Sequence, residues 1–244
     1  MALLRLLWRL SLLIAITLWH VPLHLVTRWS GRPSPWPRLF LRRAARAAGF
    51  DVAIAGAEPL RHDVFFIANH LSWIDILALG GATGCAFIAK DSVRTAPLVG
   101  WLAAQNNTIY VARERRGAVS GQIESVRAAM ATHQPIALFP EGTTGDGTAL
   151  LPFKSSLFSV LLPPPRAIRI QPVVLDYGAA NRLVAWLDGE SGLANACRIL
   201  SAPGRRRLVL RMLTPFDPGT HPDRKILAAE ARRRIEESQR SASD

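Results

Sequence analysis

Residues 64–79 read VFFIANHLSWIDILAL, an apolar run, a polar break and a second apolar run. The first run, Val64–Ala68, is short and rich in β-branched and aromatic residues, which is typical of a buried strand. The second run, Trp73–Leu79, favours a helix. A strand that leads almost directly into a helix predicts one unit of a layered α/β fold, with Asn69 and His70 at the carboxyl end of the strand.

The same alternation of short strands and helices extends outward from this stretch, beginning at Asp51. Further strands are predicted at Val52–Ala57, Cys85–Ala89, Thr108–Val111, Ile136–Phe139, Ile168–Leu175 and Arg207–Met212. Further helices are predicted at Pro97–Ala104, Val119–Thr132, Ser155–Leu161 and Pro222–Ser238. We therefore expect residues 51–244 to form an α/β domain, with a mostly parallel or mixed sheet flanked by helices. Residues 1–50 are expected to form a separate N-terminal, membrane-associated helical segment.

The charge of the chain favours anionic partners. The 244 residues carry a formal net charge of +12, and the 30 basic residues include only three lysines. Residues 1–50 hold eight arginines and no acidic residue. A basic and apolar N-terminus indicates an anionic membrane surface more than nucleic acid, so we expect the cell membrane, at its cytoplasmic face, with no nucleic-acid partner. A general enrichment in arginine is the alternative explanation.

The N-terminal segment contains an uncharged stretch, Leu10–Thr27, between arginines on both sides. It is close to the roughly 20 apolar residues that a spanning helix needs, but it contains two histidines and Pro22. A helix in the membrane interface, or a re-entrant pair broken near Pro22, explains this pattern best. A single transmembrane anchor is the alternative. Residues Arg38–Phe50 then predict a basic amphipathic helix.

Polar residues follow three of the predicted strands. They are Asn69-His70, Arg113 and the run Glu141-Gly142-Thr143. Ligands of α/β sheets bind outside the carboxyl ends of the strands. The three clusters therefore predict one site at that edge of the sheet.

His70 and Asp75 are the residues in this cluster that are suited to proton transfer. An imidazole titrates near neutral pH, and a carboxylate that binds it fixes its tautomer. Two residues five positions apart in a regular helix lie about 140° apart, so they meet only if His70 is in the loop and Asp75 in the first helical turn. Capping is the alternative role of Asp75, because Ser72-x-x-Asp75 matches a capping box.

Four motifs taken together resemble those of one enzyme family. Asn69-His70-x-x-x-x-Asp75 resembles the signature motif of the glycerolipid acyltransferases, which include the 1-acylglycerol-3-phosphate acyltransferases. Val111–Arg116, Phe139–Thr143 and Ile170–Val173 are similar to the second, third and fourth motifs of that family. Their order and spacing match, and the resemblance spans roughly residues 51–177.

The resemblance implies an O-acyltransferase that moves a fatty acyl group from acyl-CoA or acyl-carrier protein to a lysophospholipid hydroxyl. The first candidate acceptor is 1-acyl-glycerol-3-phosphate, which gives phosphatidic acid. His70 would be the base, and Asp75 would orient it. The implied substrate-binding residues are Arg113 for the acceptor phosphate, Glu141 for acceptor hydroxyls, Gly142 and Thr143 as backbone donors, and Lys90 and Lys154 for donor phosphates or carrier. No metal and no cofactor beyond the acyl donor are expected.

Three other functions fit parts of the sequence. The same chemistry serves another lysolipid acceptor, such as a lyso-ornithine lipid. A membrane-binding relative without activity would keep the fold, although His70, Asp75, Arg113 and Glu141 are all present. A basic nucleic-acid-binding protein would explain the charge, but not the apolar N-terminus.

Overall fold

The computed structural model describes residues 1–111, 119–164 and 166–241. The strands are Phe50–Gly56 (β1), Val64–Ala68 (β2), Ala86–Lys90 (β3), Ile109–Val111 (β4), Ile136–Leu138 (β5), Arg169–Asp176 (β6) and Arg206–Met212 (β7). The α-helices are Ala2–Trp29 (α1), Trp36–Ala47 (α2), Ile74–Thr83 (α3), Val99–Gln105 (α4), Val119–Met130 (α5), Asn181–Val184 (α6), Gly192–Ser201 (α7) and Arg224–Arg240 (α8). Short 3₁₀ segments are Asp91–Val93, Ser155–Leu161, Gly178–Ala180 and Pro218–Thr220.

The strands form one seven-stranded sheet in the order β1-β7-β6-β2-β5-β3-β4. Strands β6, β2, β5, β3 and β4 are parallel to one another, and β1 is parallel to β7. The two groups meet at the antiparallel pair β6 and β7. The predicted mixed sheet with flanking helices is therefore confirmed.

Strand β2 lies near the centre of the sheet because its residues are apolar on both faces. All five of its residues are buried. Val64, Phe66 and Ala68 pack into one core cluster, together with side chains of α3 and α7. Phe65 and Ile67 pack into the other, with side chains of α5 and α8. A run buried on both faces is what a central parallel strand requires, and it gives the fold its three layers.

The loops that follow β2, β5 and β6 meet at one edge of the sheet. Ile67 of β2 pairs with Leu138 of β5 on one side and with Pro172 of β6 on the other. Since the three strands are parallel neighbours, their carboxyl ends point the same way. The residues after Ala68, Leu138 and Asp176 therefore come together.

Helix α1 is continuous from Ala2 to Trp29 and contains Pro22 within it. The predicted re-entrant pair broken at Pro22 is therefore wrong. A proline removes one backbone donor and disturbs one turn, and the turns on both sides remain helical. The predicted amphipathic helix at Arg38–Phe50 is present as α2.

Both ends of α1 are bound to the rest of the protein. At the N-terminal end, Arg5 donates to the carbonyl of Ser201 at 2.8 Å, and the buried Arg9 donates to the carbonyls of Ile199, Leu200 and Gly204. The two arginines thus bind the carbonyls in the last turn of α7, which the helix itself leaves without partners. At the other end, the Trp36 indole donates to the Thr27 hydroxyl at 2.9 Å. The N-terminal helix is thus packed along the α/β domain.

Helix α2 packs closely against α3 at two glycines. A Cβ added to Gly81 would lie 2.6 Å from the backbone nitrogen of Arg42. A Cβ on Gly80 would lie 2.6 Å from the Leu41 side chain. Glycine is therefore what allows the two backbones to approach. These contacts hold α2 against the C-terminal half of α3.

Candidate active site

His70 and Asp75 are in contact at the carboxyl end of β2. His70 lies in the loop before α3, Asp75 lies in the first turn of α3, and Nδ1 of His70 is 2.8 Å from Oδ2 of Asp75. This is the arrangement that the five-residue spacing predicts. The Asp75 side chain is fully buried, whereas the His70 side chain is 20% exposed. The imidazole can therefore reach a substrate, and the carboxylate can reach only the protein.

The Asp75 carboxylate also organises the loop that carries His70. Its Oδ2 accepts hydrogen bonds from the backbone N–H groups of Leu71, at 2.6 Å, and Ser72, at 2.9 Å. Its Oδ1 accepts one from the hydroxyl of Tyr177. The capping and orienting roles are therefore both present in one side chain. Of the two hydrogen bonds of a capping box, the one from the Ser72 N–H to the Asp75 side chain is present. The second is absent from the bonds of these residues, because the Ser72 hydroxyl accepts from the Ile74 N–H at 3.4 Å and not from the Asp75 N–H.

The ring of His70 is fixed on its face as well as at its edge. It stacks on Phe139, with ring centroids 4.1 Å apart and planes 13° apart. Phe139 in turn stacks on Phe87 at 5.9 Å. With the Nδ1 proton directed at Asp75, Nε2 carries the lone pair, which is the tautomer that a general base requires.

Glu141 connects the loop after β2 to the loop after β5. Its Oε1 accepts from the His70 backbone N–H at 2.7 Å, and its Oε2 accepts from the Leu151 N–H at 2.8 Å. The residue is only 4% exposed. Burial raises the pKa of its carboxyl group to about 7, against the opposing effect of the two backbone hydrogen bonds. Glu141 thus holds the loop that carries His70 in place, and its contact with an acceptor hydroxyl stays a prediction.

Gly142 and Thr143, which follow Glu141 in the loop after β5, lie in a turn. Gly142 has φ of +75°, the conformation expected of a glycine here, and its N–H donates to the carbonyl of Phe139 at 3.1 Å. That donor is therefore engaged within the protein. Thr143 is half-buried beside it. Substrate contacts of Gly142 and Thr143 stay predictions.

The basic residues proposed for the substrates lie around the same edge. Lys90 is exposed at the end of β3. Lys154 is exposed too, and its backbone N–H donates to the carbonyl of Pro140 at 2.8 Å, which places it next to the loop after β5. Arg113 lies outside the described residues, two positions beyond the end of β4 at Val111.

Three features of the site were not predicted. The Asn69 side chain forms a reciprocal pair with the backbone of Leu175 at 2.8 and 3.1 Å, which extends the pairing of β2 with β6. Phe139 supplies a stacking surface for His70. Tyr177 binds Asp75. Their positions in the sequence could have indicated them, because each of the three residues directly follows a parallel strand.

A segment after β6 is hydrogen-bonded to the loop that carries His70. The Trp186 N–H donates to the carbonyl of Leu71 at 2.9 Å, and the Thr144 hydroxyl donates to the carbonyl of Trp186. The Trp73 indole donates to the side chain of Asn195 in α7 at 3.1 Å. The loops that carry His70 and Glu141 are therefore both tied to residues 181–201.

Comparison with known proteins agrees with this geometry. A family model described as Acyltransferase matches residues 51–176, which include His70, Asp75 and the loops after β2 and β5 and end with the last residue of β6. The chain belongs to the acyltransferase family. Its relatives include the lyso-ornithine lipid O-acyltransferases of Rhizobium meliloti, 32% identical over 75% of this chain and 68% of the relative, and of Rhodobacter capsulatus, 31% identical over 90% and 80%.

Proteins that acylate a glycerophosphate are also similar to this acyltransferase. The 1-acyl-sn-glycerol-3-phosphate acyltransferase of Neisseria gonorrhoeae is 31% identical over 46% of this chain and 45% of its own length. The crystal structure of the 1-acyl-sn-glycerophosphate acyltransferase of Thermotoga maritima matches with a TM-score of 0.61 and 25% identity, over 83% of this chain and 78% of that one. The chain is therefore an O-acyltransferase of lysolipids, which sets aside the nucleic-acid-binding and inactive alternatives.

Proposed function

We propose that this acyltransferase esterifies the hydroxyl of a lyso-ornithine lipid with a fatty acyl group from acyl-CoA or acyl-carrier protein. The observation that carries the choice of acceptor is the extent of similarity. The lyso-ornithine lipid acyltransferases match 75–90% of the chain at 31–32% identity, whereas the Neisseria glycerophosphate acyltransferase matches 46%. The similarity to the former thus reaches well beyond the catalytic loops, into parts of the chain that can contact an acceptor.

The geometry supports direct transfer with His70 as the base. Nε2 of His70 takes the proton of the acceptor hydroxyl, and the oxygen attacks the thioester carbonyl. A C–O bond forms, the tetrahedral oxyanion collapses, and the C–S bond breaks. The thiolate leaves with the proton that His70 had taken. Asp75 holds the ring through its hydrogen bond to Nδ1 and stabilises the imidazolium. These steps use no metal and no cofactor beyond the acyl donor, and the exposed Lys90 and Lys154 suit its phosphates or an acidic carrier.

A glycerophosphate acceptor is the second candidate, and the Thermotoga structure is the observation that favours it. The two acceptors differ in charge. An ornithine headgroup has an ammonium and a carboxylate, whereas a glycerophosphate headgroup has a phosphate, for which Arg113 would be the natural partner.

The acceptor is decided by an assay of purified protein with one acyl thioester and two acceptors. We expect kcat/KM with lyso-ornithine lipid to exceed that with lysophosphatidic acid by at least about 10-fold, because the headgroups require different partners. Running acyl-CoA and acyl-carrier protein in parallel identifies the donor. A preference for lysophosphatidic acid would overturn the first proposal and select the second.

We also propose that α1 lies in the plane of the cytoplasmic membrane surface. By length and composition α1 could cross a bilayer. Its two ends, however, are bound to the same domain, since Arg5 donates to the carbonyl of Ser201 at 2.8 Å and Arg28 donates to the side chain of Gln105 at 3.5 Å. The side away from the domain is a continuous apolar surface made of Leu3, Leu4, Leu7, Trp8, Leu10, Ile14, Leu18, Trp19, Leu25, Val26 and Trp29. A helix that is anchored along one face and apolar along the other suits an interface.

Cysteine labelling distinguishes this arrangement from a spanning helix. Single cysteines at Ala2 and at Ser30, two exposed positions outside the apolar surface, probe the two ends of α1 in a background with Cys85 and Cys197 replaced by alanine. An impermeant maleimide is expected to label both in inside-out vesicles and neither in intact cells. Labelling of one end from outside the cell would show a spanning helix instead.

A further inference from the structure

Tyr177 is a buried residue whose hydroxyl points at the catalytic carboxylate. It directly follows β6, the neighbour of β2, and it is 3% exposed. Its O–H donates to Oδ1 of Asp75, although the two residues are 102 positions apart in the chain. The chain has only two tyrosines, and the other one, Tyr110, donates to the carbonyl of Gly100 at 2.8 Å.

The two oxygens of Asp75 have different partners. Oδ2 accepts from Nδ1 of His70 and from the backbone N–H groups of Leu71 and Ser72. Oδ1 accepts from the hydroxyl of Tyr177, the one donor to this oxygen among the described residues. In a site that excludes water, each donor neutralises part of the carboxylate charge. A hydrogen bond to one oxygen therefore weakens the hydrogen bonds that the other oxygen accepts.

Packing alone does not require the hydroxyl of Tyr177. Its ring packs edge-on against Phe50, with centroids 5.8 Å apart and planes at 86°, and a phenylalanine would keep this contact. Burial raises the pKa of the Tyr177 phenol well above its usual range, and the charge of Asp75 adds to the rise. The group that faces Asp75 is therefore the neutral O–H, which is a hydrogen-bond donor.

Other charged groups lie near this chain of hydrogen bonds. Glu141 faces the His70 loop from the segment after β5, and its pKa is about 7. Asp176, next to Tyr177, is paired with Arg211 of β7 at 2.6 Å. Neither of the two carboxylates is a hydrogen-bond partner of Tyr177 in the bonds that the structure shows. Their titration is therefore common to the wild type and to a variant that lacks only the hydroxyl.

We infer that Tyr177 is a positioning residue that sets the strength of the base, by binding Asp75 Oδ1 and so limiting how firmly Oδ2 holds the proton on His70. This inference rests on the proposed role of His70 as the base. Tyr177 acts through Asp75 and does not contact the substrate. A Tyr–Asp–His chain of hydrogen bonds thus joins the residue after β6, the first turn of α3 and the loop after β2.

Removal of the hydroxyl concentrates the charge of Asp75 on the bond to His70. The imidazolium then becomes more stable relative to the neutral imidazole. Because only the neutral imidazole accepts a proton, the acidic limb of the kcat/KM profile moves to higher pH, by roughly 0.5 to 1 unit. Below the limb this shift lowers kcat/KM by about 3- to 10-fold, and the loss shrinks as pH rises above it.

The test compares pH profiles of the wild type, Tyr177→Phe and Tyr110→Phe. We expect the limb to move upward in Tyr177→Phe only, since Tyr110→Phe also removes a hydrogen bond of a tyrosine hydroxyl, a partly buried one that does not involve Asp75. Melting temperatures report any loss of stability separately. A limb that is unchanged or lower in a folded Tyr177→Phe overturns the inference, whatever the melting temperature.

A second measurement keeps the whole side chain and so does not depend on the folding of Tyr177→Phe. In the Tyr110→Phe background, fluorotyrosine incorporated throughout enters only position 177 and makes its phenol a stronger donor. The limb is then expected to move to lower pH, and a limb that stays in place overturns the inference. The proposed function fails by a different result, namely full activity of His70→Ala at every pH.

Discussion

His70→Ala is expected to lose acyl transfer by about 10²- to 10⁴-fold in kcat, because the acceptor hydroxyl then has no positioned base. The loss is expected at saturating concentrations of both substrates, since it concerns the chemical step and not binding. Folding is expected to persist. The side chain of His70 is partly exposed, and the backbone contacts of its loop with Glu141 and Asp75 do not involve the imidazole. The measurement is a steady-state assay with thioester and lysolipid, beside circular dichroism and a melting curve.

The chain offers a matched control for this variant. His133 forms a second histidine–aspartate pair, with Nδ1 2.9 Å from Oδ1 of Asp63. This pair lies at the opposite edge of the sheet, before β5 and β2, and the His133 side chain is 61% exposed. His133→Ala is therefore expected to keep nearly full activity. If both variants kept it, or both lost it, the assignment of the base to His70 would be wrong.

Asp75→Asn is expected to lower kcat by about 10²- to 10⁴-fold while leaving the KM of both substrates within a few-fold. Oδ2 accepts three N–H donors, from His70, Leu71 and Ser72, and Oδ1 accepts the Tyr177 O–H. An asparagine must place its NH₂ group against one of these two sets. If it faces His70, the imidazole must reverse its tautomer, and Nε2 then carries the proton instead of accepting one.

The control for Asp75→Asn separates loss of catalysis from loss of a helix cap. Asp223 caps α8, where Oδ1 accepts from the N–H groups of Lys225 and Ile226, at a distance from the catalytic pair in the fold. Asp223→Asn should leave kcat unchanged and move the melting temperature only slightly, because asparagine is itself a good cap. A folded Asp75→Asn with near-normal kcat would show that Asp75 has only a structural role.

The sequence was sufficient to predict the sheet and the catalytic contact. Strands β2 and β5 consist of apolar residues alone, and a run of five apolar residues buried on both faces gave β2 its central place. The contact of His70 with Asp75 followed from their spacing, because only a loop followed by a helical turn brings them together. These are local properties, which a sequence states directly.

The features that were not predicted depend on distant parts of the chain. Tyr177 reaches Asp75 across 102 positions, and no local pattern indicates that its hydroxyl has a charged partner. Helices α6 and α7 were not predicted, since Asn181–Val184 is a single turn and Gly192–Ser201 is only ten residues long and begins with a glycine, a poor helix former. Pro22 suggested a break in α1 that the neighbouring helical turns do not allow.

Bonds from α1 to the end of α7 limit how the protein can be shortened. Deleting the first thirty residues, a usual way to obtain a soluble enzyme, would expose the carbonyls of Ile199, Leu200 and Ser201 that Arg5 and Arg9 now bind. It would also expose the face of α2 on which Phe40 and Arg43 now contact His20 of α1. Helix α7 carries Asn195, which binds Trp73 beside the catalytic loop. Helix α1, whose apolar surface makes purification difficult, is therefore also a helix that supports the active site through α7. For this enzyme, extraction with detergent is a better choice than truncation.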